Sequence, residues 1–194
     1  MSDSERNATR PTGPRKINVP DDALQIMFTG SRTIKDTDII RDLIINSVYD
    51  VLKLIQRSDH STNAYTRPMI FAEGGAHGLD SIVAHMTTDE DALDWDATLR
   101  TYPADWKKHG RVAGMRRNQE MILDSDACIA IWDGRSRGTM HAFRTARRAG
   151  LFTQLIIPDA QFTDLDAQIE NMGDEYRALI RERARRIMLE DENR

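Results

Sequence analysis

Four short stretches hold most of the side chains with chemistry to offer: Gly30-Ser31-Arg32, Glu73-Gly74-Gly75 on to Asp80, the run from Tyr102 to Asn118 with Asp105 and Arg117 in it, and Asp133 to Thr139. Glycine accepts positive φ without steric cost and lets backbone N–H groups come close to a ligand. A helix that starts directly behind such a loop adds N–H groups with no intrahelical acceptor and the positive end of its dipole, so Gly138-Thr139 ahead of Met140 reads as an anion seat. Arg32, Arg117, Arg135 and Arg137 carry planar guanidinium forks suited to phosphate oxygens. These groups together call for a phosphorylated, nucleotide-like ligand. Its expected contacts are Gly30, Ser31, Arg32, Glu73, Gly74, Gly75, Asp80, Arg117, Asn118, Asp133, Ser136, Arg137, Gly138 and Thr139. Any one of these loops taken alone reads equally as a tight turn with solvated arginines; the argument rests on four of them.

Carboxylates in the loops raise the question of catalysis. Glu73, Asp105 and Asp133 are the candidates, since a carboxylate pair works as acid and base or binds a ribose diol. Asp80 has a plainer reading as the N-cap of the helix behind it. His141 falls in the first turn after Gly138-Thr139, where it either meets a ligand or lies on the surface. His60, His77, His85 and His109 lack the spacing of a zinc site, so no metal is expected, and no motif calls for a cofactor. Trp106 and Trp132 flank the third and fourth loops, where an indole either stacks on a purine or packs against the protein.

The elements that position these loops follow from apolar periodicity. Residues 23–30, the run Pro68-Met-Ile-Phe-Ala-Glu, residues 97–103, 127–132 and 152–158 read as five strands, the third of them weak. Between them come amphipathic helices: one entered at Asp36 or Thr37 with Ile40, Ile44, Val48, Val51 and Ile55 on one face, one behind Asp80, one over 114–125, and one over 138–150 that Gly150 stops. The acidic segment 87–96 reads as a helix end and surface loop. Alternating strands and helices predict an α/β fold, a Rossmann-like parallel sheet with helices on both faces. The four loops then all fall at carboxyl ends of strands, where open parallel sheets take their ligands. A C-terminal amphipathic helix carrying Leu165, Ile169, Met172, Tyr176 and Leu179 completes the chain. The expected division is a disordered tail over 1–22, the sheet domain over 23–158 and a helical extension over 159–194.

Length and composition bound the rest. With 194 residues the chain suits one domain with tails, and its net charge of -4 argues against a basic nucleic-acid surface. Cys128, the one cysteine, lies in an apolar run and reads as a core thiol. No stretch reaches the roughly 18 apolar residues of a membrane span, and the first residues lack a signal peptide's apolar centre, so no membrane association and a cytoplasmic location are expected.

The segments Gly30-Ser31-Arg32, EGGAHGLD (73–80), YPADWKKHGRVAGMRRNQEM (102–121) and IAIWDGRSRGT (129–139) resemble, in order and spacing, the SLOG superfamily and its YspA-type branch. The resemblance spans about residues 24–157. That superfamily is Rossmann-like and includes the Lonely Guy phosphoribohydrolases, the DNA-processing protein A and sensors of NAD-derived signals. It implies a pocket for a nucleotide derivative, related to NAD or ADP-ribose. The chain departs from the Lonely Guy pattern at Ala142, which stands where those enzymes carry the glutamate that serves N-glycosidic cleavage, and at Ser136, which replaces a glycine. His77 and Leu79 stand where many relatives have arginine and alanine. The expected function is therefore binding, by sensing or sequestering, of a nucleotide-derived small molecule. The alternatives are a hydrolase of an N-glycosidic or phosphate bond and a single-stranded-DNA binder using the basic residues Lys107, Lys108, Arg111, Arg116, Arg117, Arg147 and Arg148; the acidic balance and the lack of an aromatic ladder weigh against the latter. The stripe 165–179 further predicts a homo-oligomer joined through helical surfaces.

Overall fold

In the computed structural model the residues described are 19–20, 22–58, 63–88 and 97–158. Strands β1 (Leu24–Gly30), β2 (Met69–Glu73), β3 (Ala97–Thr101), β4 (Ala127–Ile131) and β5 (Phe152–Ile156) alternate with helices α1 (Asp38–Ser58), α2 (Leu79–Thr88), α3 (Trp106–His109), α4 (Ala113–Asp124) and α5 (Arg137–Arg148). The strands form one parallel sheet in the order β3-β2-β1-β4-β5, with Leu24 opposite Met69, Ile26 opposite Ala127 and Glu73 opposite Thr101. This is a Rossmann-like α/β architecture.

Strand alternation divides the core in two. Leu24, Ile26, Phe28, Phe71, Ile129 and Ile131 pack with the buried stripes of α1 and α2, and Phe28 meets Phe71 edge to face across β1 and β2 with ring centroids 5.0 Å apart. On the opposite face Met27, Ala72 and Cys128 pack with Met121 and Ile122 of α4 and Ala146 of α5. Burial on both sides explains why β4 reads as an unbroken apolar run and β1 as a largely apolar one.

One polar side chain breaks the run in β1. Gln25 is fully buried and donates through Nε2 to Tyr102 Oη at 2.9 Å and Ser125 Oγ at 3.2 Å, while Tyr102 Oη donates to Asp124 Oδ2 at 3.0 Å. Burial pushes the Tyr102 phenol up to about 12.

Helix ends follow side-chain chemistry. Thr37, rather than Asp36, caps α1: its hydroxyl accepts from Ile40 N at 3.3 Å, while Asp36 pairs bidentately with Arg41 at 2.7 and 2.8 Å. Gly150, with φ of 82°, ends α5 in a Schellman arrangement, its N–H on Arg147 O and that of Leu151 on Ala146 O. Helix α5 begins at Arg137, one residue earlier than the periodicity suggested, and α2 begins at Leu79. The stretch expected to be loop between β3 and α4 contains α3 and a 3-10 turn over Gly110–Val112. Val19, placed in the tail by composition, is buried against Ala23 and Ile70. The acidic segment from residue 89, residues 1–18 and the stripe from Leu165 to Leu179 lie outside the described residues. Among those described, no helix is long and apolar enough to cross a membrane.

Candidate functional site

Strand β1 has β2 on one side and β4 on the other. Its own helix, α1, joins the core on one face of the sheet, and α5, which follows β4, joins the core on the other. The loops after β1 and β4 therefore lead to opposite faces at the carboxyl edge, the switch point at which open parallel sheets take their ligands. Asp133 ties them together. Its N–H donates to Ser31 Oγ at 3.1 Å and its Oδ2 accepts from Thr33 Oγ1 at 2.7 Å. Oδ1 accepts from the backbone N–H groups of Arg135 at 2.9 Å and Ser136 at 2.8 Å. Burial alone would raise the Asp133 pKa; the bonds from Thr33, Arg135 and Ser136 outweigh it and hold the carboxyl below its ordinary value.

The loop after β2 is locked from within. Glu73, nearly inaccessible, accepts from Thr101 Oγ1 on one oxygen and from Gly75 N–H on the other. Asp80 Oδ2 accepts from Gly74 N–H at 3.1 Å and Ala76 N–H at 3.2 Å. Gly78, at φ of 81°, packs so close to the first loop that a Cβ there would stand 2.5 Å from Ser31 O. Gly30 in turn leaves room for Leu79.

Arg117 reaches back from α4 onto this loop. Its Nη1 lies 3.4 Å from Tyr102 O and 3.8 Å from Asp80 Oδ2, and a Cβ on Gly74 would sit 1.0 Å from that nitrogen. The side chain is 13% exposed, and its Nε is buried with no partner among the described residues. Burial raises Asp80 to about 6 against the pull of Arg117, and burial lowers Arg117. Asp80 and Glu73 pull Arg117 back toward its ordinary value, and Arg32, itself exposed, acts against them as a second cation within electrostatic reach at this edge.

The structure thus joins Gly30, Ser31, Arg32, Glu73, Gly74, Gly75, Asp80 and Arg117 with Asp133 and Ser136 in one network of contacts. Ser136 caps α5, its Oγ accepting from Thr139 N–H at 3.3 Å and from the buried Thr139 hydroxyl at 2.9 Å. Gly138 and Arg137 are exposed in the first turn, and nothing lies within 4 Å of a Cβ built on Gly138. Asn118, beside Arg117, is half-buried, and His141 is exposed. Two roles, those of Asp80 and Asp105, differ from expectation, and for Trp132 one of two open readings holds. Asp80 lies inside the first turn of α2 and does not cap it; its carboxylate turns back to the loop amides. Asp105 caps α3, accepting from Lys108 N–H at 2.9 Å. Trp132 is 4% exposed and donates to Ser136 O at 3.0 Å, so it packs rather than faces a ligand. Sequence reasoning missed Thr33, Thr101 and Tyr102. The first two are locks for carboxylates distant in sequence, and only strand register reveals the pairing of Thr101 with Glu73. Among the described residues no group of three or more His, Cys, Asp or Glu side chains is placed to hold a metal ion.

No family model and no solved structure matches the chain. Over 128 residues, covering 66% of this chain and 91% of the relative, it is 31% identical to the Gene 61 protein of Mycobacterium phage D29. The chain belongs to the family of that protein. The Gene 61 match names no activity, so function rests on the chemistry of the loops.

Proposed function

We propose that this protein binds a phosphorylated, nucleotide-derived small molecule at the carboxyl edge of its sheet, sensing or sequestering it without cleaving it. The observation that carries this reading is Arg117: a guanidinium largely withdrawn from water, laid over Gly74, with one unpartnered nitrogen and a second arginine, Arg32, close by. Burial raises the cost of keeping the positive charge; Asp80 and Glu73 offset part of that cost, and a bound anion offsets more. The first turn of α5, with Gly138 open to solvent, adds amide donors across the strand-order switch. The SLOG resemblance supports a ligand related to NAD or ADP-ribose. Binding without cleavage is supported by the carboxylates, since Glu73, Asp105 and Asp133 each accept hydrogen bonds that hold a loop or cap a helix.

Calorimetry against NAD, ADP-ribose and adenosine monophosphate tests the reading, with chromatography of the same mixtures for released base. Heat with intact ligand is expected; absent heats throughout overturn binding, and released base overturns the non-catalytic part. Arg32→Ala is the cleaner arginine variant because Arg32 is exposed, whereas loss of Arg117 also strands Asp80. Arg32→Ala is expected to weaken binding by about 1.5 to 3 kcal/mol, the scale of a hydrogen bond to a charged group, with little change in stability. Unchanged affinity refutes its role.

A further inference from the structure

Trp106 opens α3 and is 54% exposed, in contrast to Trp132 at 4%. Large aromatic side chains are on average well buried, and two features hold this one out. Asp105 caps the helix that Trp106 begins, fixing where the chain leaves β3. Gly114, in the first turn of α4, offers the indole a bare backbone, with Trp106 Cη2 3.6 Å from where a Cβ would stand. Gly114 and Arg117 are three residues apart on α4, so they occupy neighbouring positions on one helix face. The same β3–α3 connection supplies Tyr102 O, the acceptor for Arg117 Nη1. One helix face thus carries a seat for an exposed indole and, a turn further on, the root of the guanidinium that lies over Gly74. Val112 and Met115, nearby in sequence, are also 44% and 42% exposed.

We infer that Trp106 is the stacking platform for the aromatic base of the ligand, while Arg117 and Arg32 hold its phosphate. The inference rests on the phosphate-binding reading above and adds to it a rule of selection. A planar base stacks on an indole face, and the indole accepts any base because each has a π face. The protein therefore discriminates nucleotides from sugar phosphates through Trp106, and leaves the phosphate contacts common to both.

The test compares adenosine monophosphate with ribose 5-phosphate on the full chain, native and as Trp106→Ala and Trp106→Phe. The native protein is expected to bind the nucleotide more tightly. Trp106→Ala should weaken nucleotide binding by roughly five- to 150-fold, the range for removing one base–aromatic stack, and leave ribose 5-phosphate unchanged. Trp106→Phe should restore most of the nucleotide affinity. Ribose 5-phosphate also serves as the control for folding, since a damaged site would lose both ligands. Equal native affinity for the two probes, or equal weakening of both in Trp106→Ala, overturns the role of Trp106 and leaves phosphate binding standing. Binding of neither probe overturns the phosphate reading and this inference with it.

Discussion

Asp80 gathers two backbone amides and the edge of a guanidinium on a single oxygen, yet burial dominates and its carboxyl rises from 3.8 to about 6. The folded protein then holds this proton more tightly than the unfolded chain does. The stability contributed by the group is fully present below the unfolded value and is lost as pH rises through about 6. Asp133 has the opposite sign, since its lowered pKa gives stability that is lost as pH falls. Comparing the native protein with Asp80→Asn isolates the first effect. Urea unfolding between about pH 4 and pH 7 should show the native protein losing stability relative to the variant, by up to roughly 3 kcal/mol for a shift of this size. Parallel curves would contradict the assignment. Gly74 teaches a related lesson at the same scale. In the sequence it marks close approach of a ligand to the backbone; in the fold the protein's own Arg117 occupies that space. A long side chain from 43 residues away in sequence leaves no local signal at the glycine it covers.

The strands and principal helices were legible because their periods are local: unbroken apolar runs for doubly buried strands, three- and four-residue spacing for α1 and α5. Helix α3 was not, since four residues show no period and its cap, Asp105, resembles any loop aspartate. Gln25 was also opaque, because its partners Tyr102 and Ser125 come from other elements. Two glycines, one in the first turn of α5 and one just past its end, illustrate how position decides a residue's meaning. Gly150 has φ of 82° and Gly138 lies in the helical first turn with open space around it. Gly150→Ala is expected to destabilise by about 1 to 2 kcal/mol, the strain of an L-residue in the left-handed region. Gly138→Ala should be neutral or stabilising by a few tenths, by reducing the freedom of the unfolded chain. Thermal melting of both variants reads the contrast, and a shift of equal sign in the two would contradict it.

For the whole molecule, the order β3-β2-β1-β4-β5 decides which loops meet, and sequence showed only that they end strands. The interlocking of Ser31, Gly78 and Asp133 brings the loops after β1, β2 and β4 onto one edge. Cys128, the chain's one cysteine, lies at the other extreme of accessibility, at 0% exposure in β4 between Met27 and Thr153, with its thiol pushed up to about 12. A thiol-specific reagent reaches it only when the sheet parts. Its alkylation rate is then a clock for opening of the molecule, read at the native sulfur without any substitution and indifferent to what happens at the surface. That rate should rise with denaturant at the slope of complete unfolding; a rate that ignores denaturant would instead mark local escape of β4. A compound held at the carboxyl edge should slow the clock by the factor through which it stabilises the folded state. One buried thiol in β4 thus makes the protein its own timekeeper for any ligand offered to it.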